Sequence, residues 1–175
     1  MIWRFYRGYY SSKMQNSCSI YNLSIYRLES ERANEKRGNM KLPEIDDTIA
    51  TQKALELCAH FGLDYLVDRI NWNPGRYKDW SFDGCSGLPD EMMGLFTGCD
   101  WKDITYKCCL PHDLCYAYGE IGNKIERKRV DQNFFNDLVT KAGMRKWLAS
   151  VFLSAVRIGG AEELGLSFSW GFAHK

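Results

Sequence analysis

Residues 108–119 read CCLPHDLCYAYG. On a helix, Cys109, His112, Asp113 and Tyr116 fall at i, i+3, i+4 and i+7 and share one face, with Cys108 and Cys115 at its flanks. Three chemistries suit such a cluster. Zinc is one: Cys109, His112 and Cys115 supply three ligands and Cys85 or Cys99 a fourth, although the chain has no C-x-x-C pair of the kind structural zinc sites use. Thiol redox is the second, and it asks for a helix N-terminus or a cation beside the thiolate. The third is general-base catalysis beside a hard cation, in which His112 takes a proton from water and Asp113 gives oxygen to Ca²⁺. A hard cation takes its remaining ligands from carbonyls and water, and FDGCSGLPD (82–90) is a glycine-containing loop able to offer carbonyls.

The elements that must hold this cluster can be read from pattern. Asp46, Asp47 and Thr48 are N-cap candidates for a first helix carrying Ile49, Leu55, Cys58 and Ala59, with Gly62 as its stop. A second short helix is expected over 63–70. Residues 71–91 are rich in Gly, Pro, Asn and Asp and read as a long functional loop. A helix is expected from near Asp103 to Gly119. The basic stretch 124–130 leads into a third helix, with Asp131, Phe134, Phe135, Leu138 and Val139 on one face. A fourth, over 144–156, carries Trp147, Leu148, Val151, Phe152 and Ala155, and ends at Gly159 and Gly160. LSFSWGF in the tail reads as a small strand. The fold class expected is mainly α with little β structure.

Length and charge narrow the options. A chain of 175 residues with 45% apolar content forms one domain with its own core. Residues 1–40 carry a net charge of +4 and 41–175 a net −3, which is the wrong balance for a nucleic-acid-binding core. The first segment reads as a disordered or peripheral leader, or as a basic, aromatic arm touching a membrane; residues 41–175 form the working domain. WLASVFLSAV (147–156) is too short to cross a bilayer. MIWRFYRGYYSSKMQ has no apolar run behind its charges and does not read as a secretory signal. Seven cysteines leave at least one thiol without an intramolecular partner. His60 and His174 read as structural or exposed. Met92, Met93, Leu95 and Phe96 form either an apolar rim or a core plug, and Trp72, Trp80 and Trp101 flank the same region.

CCLPHDLCY resembles the active-site helix of the phospholipase A2 family, C-C-x-x-H-D-x-C followed by tyrosine, at every fixed position. DGCSG is similar to the calcium loop of its divergent secreted, fungal and bacterial members. RKRVDQNFFNDLV resembles their second long helix, so the resemblance covers about 82–140. It implies two long antiparallel helices carrying the site, with a calcium loop before the first. It makes His112 the general base, Asp131 the carboxylate that orients its ring, and Tyr116 the brace of that carboxylate. Asp113 becomes the side-chain ligand of Ca²⁺, with carbonyls of Gly84, Ser86 and Leu88, and Ser86 N–H becomes the oxyanion donor. It pairs Cys85 with Cys109. The expected activity is calcium-dependent hydrolysis of the sn-2 ester of glycerophospholipids at a membrane or micelle surface. A monomer is expected, with no nucleic-acid partner and a secreted or extracellular location; an intracellular one stays open. A phospholipase fold that binds lipid or protein without turnover is the alternative, followed by the zinc module.

The residues around Asp131 agree in one respect. A core-facing carboxylate needs a partner, and His112 is available; a simple helix cap is the competing role. The chain departs from the common family members in two ways. Residues 89–103 are an insertion between loop and helix, and the second helix has no cysteine, so Cys108 and Cys115 lack their usual partners. Cys99 pairing with Cys108 or Cys115, and Cys58 with the other, is one outcome; reduced thiols are the other. The chain has no G-x-S-x-G nucleophile.

Overall fold

The computed structural model describes residues 40–85, 97–160 and 172. Residues 1–39, the apolar insertion at 92–96 and the tail strand lie outside them. All the elements below belong to one compact unit, Leu42–Lys175. It is mainly helical. In chain order the elements are β1 (Thr48–Ile49), α1 (Thr51–His60), α2 (Asp64–Trp72), a 3-10 turn (Pro74–Arg76) and β2 (Trp80–Ser81). A continuous helical segment follows, made of α3 (Trp101–Ile104), a π-helical turn (Thr105–Cys109) and α4 (Leu110–Tyr118). The last two are α5 (Lys124–Thr140) and α6 (Lys146–Gly159).

The N-terminal expectations need correction. Thr48 and Ile49 are not helical: they pair antiparallel with Ser81 and Trp80. Asp47 does not cap α1; its carboxylate takes the Glu44 N–H at 2.7 Å inside a turn, and the N-cap is Ala50. Within α1, Ala54, Leu57 and Cys58 are buried, Leu55 is half-buried and Ala59 is exposed. The loop expected over 71–91 contains the 3-10 turn and β2. Trp80 is drawn inward because its indole N–H donates to Tyr118 Oη at 3.2 Å, tying the small sheet to the end of α4.

The helices around the cluster start where side chains satisfy their first amides. Asp100 accepts from Lys102 N at 2.7 Å and opens α3 at Trp101. Asn123 accepts from Glu126 N at 2.9 Å and opens α5 at Lys124. The basic stretch is therefore the first two turns of α5 and not a lead-in to it. Val130, Asp131, Phe134 and Leu138 are its buried face from there on.

The core joins the three long segments. Ile104, Cys108 and Cys109 pack with Phe134 and Leu138 of α5 and with Met144 and Ala149 at the start of α6. On α6 the inward residues are Ala149 and Gly159, with Leu148, Phe152 and Val156 half-buried against the core. Trp147, Val151 and Ala155, expected on the same stripe as Leu148 and Phe152, face solvent.

A disulfide joins Cys85 to Cys109, with Cα atoms 5.7 Å apart. Cys58, Cys99, Cys108 and Cys115 are free, so the cross-pairings considered for them are not made. No described helix is long and apolar enough to cross a membrane.

Candidate active site

The site is built by α4 and α5. Cys109, His112 and Tyr116 lie on the inner side of their helix and are buried, and Asp113, one position round from His112, is half-buried. The π-turn ends at Cys109, so the residue that carries the disulfide is also where the helical phase resets before His112. Such turns concentrate at functional sites.

Two donors converge on one oxygen of Asp131. His112 Nε2 lies 3.2 Å from Asp131 Oδ1, and Tyr116 Oη donates to the same atom at 2.7 Å. An ionised carboxylate only accepts, so Nε2 carries the ring proton and Nδ1 is left with its lone pair. Asp131 is fully buried. It stands two turns inside α5, so it is not the helix cap. Its Oδ2 makes no hydrogen bond among the described residues. The two contacts at Oδ1 are what make a buried carboxylate tolerable here.

His112 Nδ1 lies 3.7 Å from Asp113 Oδ1, too far for a good hydrogen bond, and the two groups attract when the ring is protonated. Burial alone would push the imidazole pKa down. The Asp113 and Asp131 carboxylates outweigh burial and hold it above the ordinary histidine value of 6.5. The ring packs against two aromatic rings, with the Tyr116 centroid at 4.4 Å and the Phe134 centroid at 4.7 Å. These contacts restrict rotation of the imidazole. Burial raises the Tyr116 hydroxyl and the neighbouring Asp131 charge raises it further, so Tyr116 stays a donor.

His112 also lines a cleft of about 680 Å³. Phe61, Leu63, Val130 and Phe134 supply apolar wall; Arg129 and Lys141 bring positive charge. Asp113 is not among its lining residues.

Of the expected cation ligands, Asp113 and Gly84 are described and Ser86 and Leu88 are not. The disulfide tethers Cys85 to Cys109, and Cys109 lies one helical turn before Asp113 on the same side. The start of the glycine-containing loop is thus held against the helix that carries the carboxylate. Gly84 has φ 72°, a left-handed conformation that glycine takes without strain. Among the described residues no group of three or more His, Cys, Asp or Glu side chains forms a metal cluster. A hard cation at Asp113 would accordingly depend on backbone oxygens for its remaining ligands. The zinc arrangement fails on different grounds: Cys85 and Cys109 are bonded to each other and cannot be thiolate ligands.

Two positioning features escape the sequence pattern. Gly160 reads there only as the end of a helix. A Cβ at this position would sit 2.5 Å from Tyr116 Oη and 2.9 Å from its Cε1, so the absence of a side chain is what lets the tyrosine reach Asp131. Arg127 donates to Gly160 O and pins that corner to α5. Gly119 plays the same part for Phe172, whose ring stands edge-on to Tyr116 at 5.2 Å.

No protein-family model, characterised protein or solved structure matches the chain.

Proposed function

We propose that the protein is a calcium-dependent phospholipase A2, hydrolysing the sn-2 ester of glycerophospholipids to a fatty acid and a lysophospholipid. The observation that carries the reading is the convergence of His112 Nε2 and Tyr116 Oη on Asp131 Oδ1, which leaves Nδ1 as a base. The phospholipase-like pair of antiparallel helices is part of this reading, with α4 and α5 joined by the short turn 119–123. A cleft with apolar walls that reaches His112 offers room for a hydrocarbon chain.

In this reaction His112 Nδ1 accepts a proton from water as the water oxygen attacks the ester carbonyl carbon. Asp131 stabilises the imidazolium that forms and keeps its ring in place, and Tyr116 keeps Asp131 in place. The imidazolium then returns its proton to the departing glycerol oxygen as the ester C–O bond breaks. No covalent acyl-enzyme is required. Asp113, with carbonyls of the loop at 84–88, would hold Ca²⁺, which when bound supplies electrophilic stabilisation of the carbonyl oxygen and neutralises phosphate charge.

The test is release of fatty acid from phospholipid–detergent micelles with added Ca²⁺ and with a chelator. Calcium-dependent release at the sn-2 position is expected from the parent. His112→Gln should stay folded and lose turnover. Lipid binding without turnover by the parent would identify a silent binding module instead.

A further inference from the structure

We infer that the seam between α2 and the first turns of α5 is the edge that docks the protein on an anionic phospholipid bilayer; the choice of a lipid occupant rests on the lipase reading. Tyr65, Arg69 and Trp72 share one face of α2 at i, i+4 and i+7. At Arg69 and Tyr65 that face meets α5. Arg69 makes a two-pronged contact with Glu126, at 2.8 and 3.3 Å, and donates to Tyr118 O at 3.1 Å. The Arg129 guanidinium lies 5.7 Å from the Tyr65 ring centre. Paired in this sense, Arg129 with Tyr65 and Glu126 with Arg69, the seam runs toward Trp72 at the end of α2 and Ile125 in the first turn of α5, with Ile121 in the turn that precedes α5.

These three side chains are bare. Trp72 is 91% exposed, Ile125 83% and Ile121 52%. Large exposed apolar groups on neighbouring elements suit insertion into a lipid interface, and tryptophan favours that depth. Charge points the same way. Around Ile125 the exposed side chains of α5 are Lys124, Lys128 and Arg129, while the nearby Glu126 is buried against Arg69. Exposed carboxylates on α2 and adjoining segments are Asp64, Asp68, Asp79 and Glu120, the last accepting from Asn123 at 2.9 Å. The domain as a whole is net negative, so a cationic collar about an exposed isoleucine is a local feature. Arg129 and Tyr65 also line the cleft that reaches His112, so the seam is continuous with the wall of that cleft.

The experiment is co-sedimentation of the full chain with sucrose-loaded vesicles of ether-linked phosphatidylcholine and phosphatidylserine, which cannot be hydrolysed at the ester. Trp72→Ser/Ile125→Ser should weaken partition by roughly tenfold or more. Trp147→Ser/Val151→Ser, on the exposed stripe of α6, should leave it unchanged. Removing phosphatidylserine should weaken binding of the parent. Unaltered partition of the first variant, loss confined to the α6 variant, or no partition of the parent would each overturn the inference. A parent that sediments as a dimer and becomes monomeric on Trp72→Ser/Ile125→Ser would also overturn it, because the face would then be a protein interface. Hydrolysis of a short-chain phospholipid dispersed as monomers should be equal in parent and first variant. Absence of that hydrolysis in the parent would count against the lipase reading, while partition would still decide the docking edge.

Discussion

At the residue scale the chemistry depends on where one proton sits. Asp131 accepts from both Nε2 of His112 and the hydroxyl of Tyr116, and this assigns the lone pair to Nδ1. Asp131→Asn replaces an obligate acceptor with a group that also donates. Turnover should fall on the order of 10²–10⁴-fold with little change in KM, read by steady-state kinetics on micelles. Tyr116→Phe removes one of two donors and should cost about 1 kcal/mol of stability, measured by urea unfolding, with a milder loss of rate. The free thiols give a prediction independent of activity. Burial raises Cys58 and Cys108 to about 12 and Cys115 to about 11, from an ordinary 9.0. Folding thus favours the neutral thiols, a contribution complete below pH 9.0 and lost as pH rises through about 11 to 12. Peptide-resolved alkylation at neutral pH should label half-exposed Cys99 first and leave these three largely unmodified, and stability should fall on the alkaline side. Rapid labelling of Cys108 or Cys115 in the native protein would contradict their burial.

Elements set how much of this can be read without coordinates. The spacing of Cys109, His112, Asp113 and Tyr116 gives the shared face directly, because helical periodicity is local. The placement of Asp131 also follows from periodicity, since Phe134 and Leu138 mark the inner face of α5. The disulfide between Cys85 and Cys109 rests on resemblance, not on spacing. What escapes the pattern is non-local. Ile49 leaves the first helix because a strand partner thirty residues on claims it. Trp147 and Val151 face outward because Leu148 and Phe152 hold the inner side of α6. Gly160 acts on the site through Tyr116, which lies far away in sequence. Gly160→Ala should therefore shift Tyr116, lower turnover by roughly tenfold and destabilise by about 1–3 kcal/mol. An alanine tolerated with full activity would show that the corner has slack. Arg69→Met strands a buried carboxylate at Glu126 and should cost about 2–4 kcal/mol, measured by chemical unfolding.

For the molecule as a whole, three short connections converge on one place. The disulfide tethers the loop to the π-helical turn before α4, the Arg69–Glu126 pair ties α2 to α5, and Arg127 ties the end of α6 back to α5. Each meets the helices within two turns of His112 or Asp131, so all three brace the site. Composition foretells a helical domain with its own core; it says nothing of these ties, which come from side chains distant in sequence. The central claim is that His112, oriented by Asp131, activates water beside a calcium ion at Asp113. Its most direct test is sn-2 fatty-acid release by the parent, His112→Gln and Asp113→Asn proteins across a calcium titration. The account predicts saturable calcium dependence in the parent, no turnover in folded His112→Gln at any calcium level, and loss of calcium-stimulated turnover in Asp113→Asn. Turnover that is unaffected by chelation, or that survives intact in His112→Gln, would contradict it.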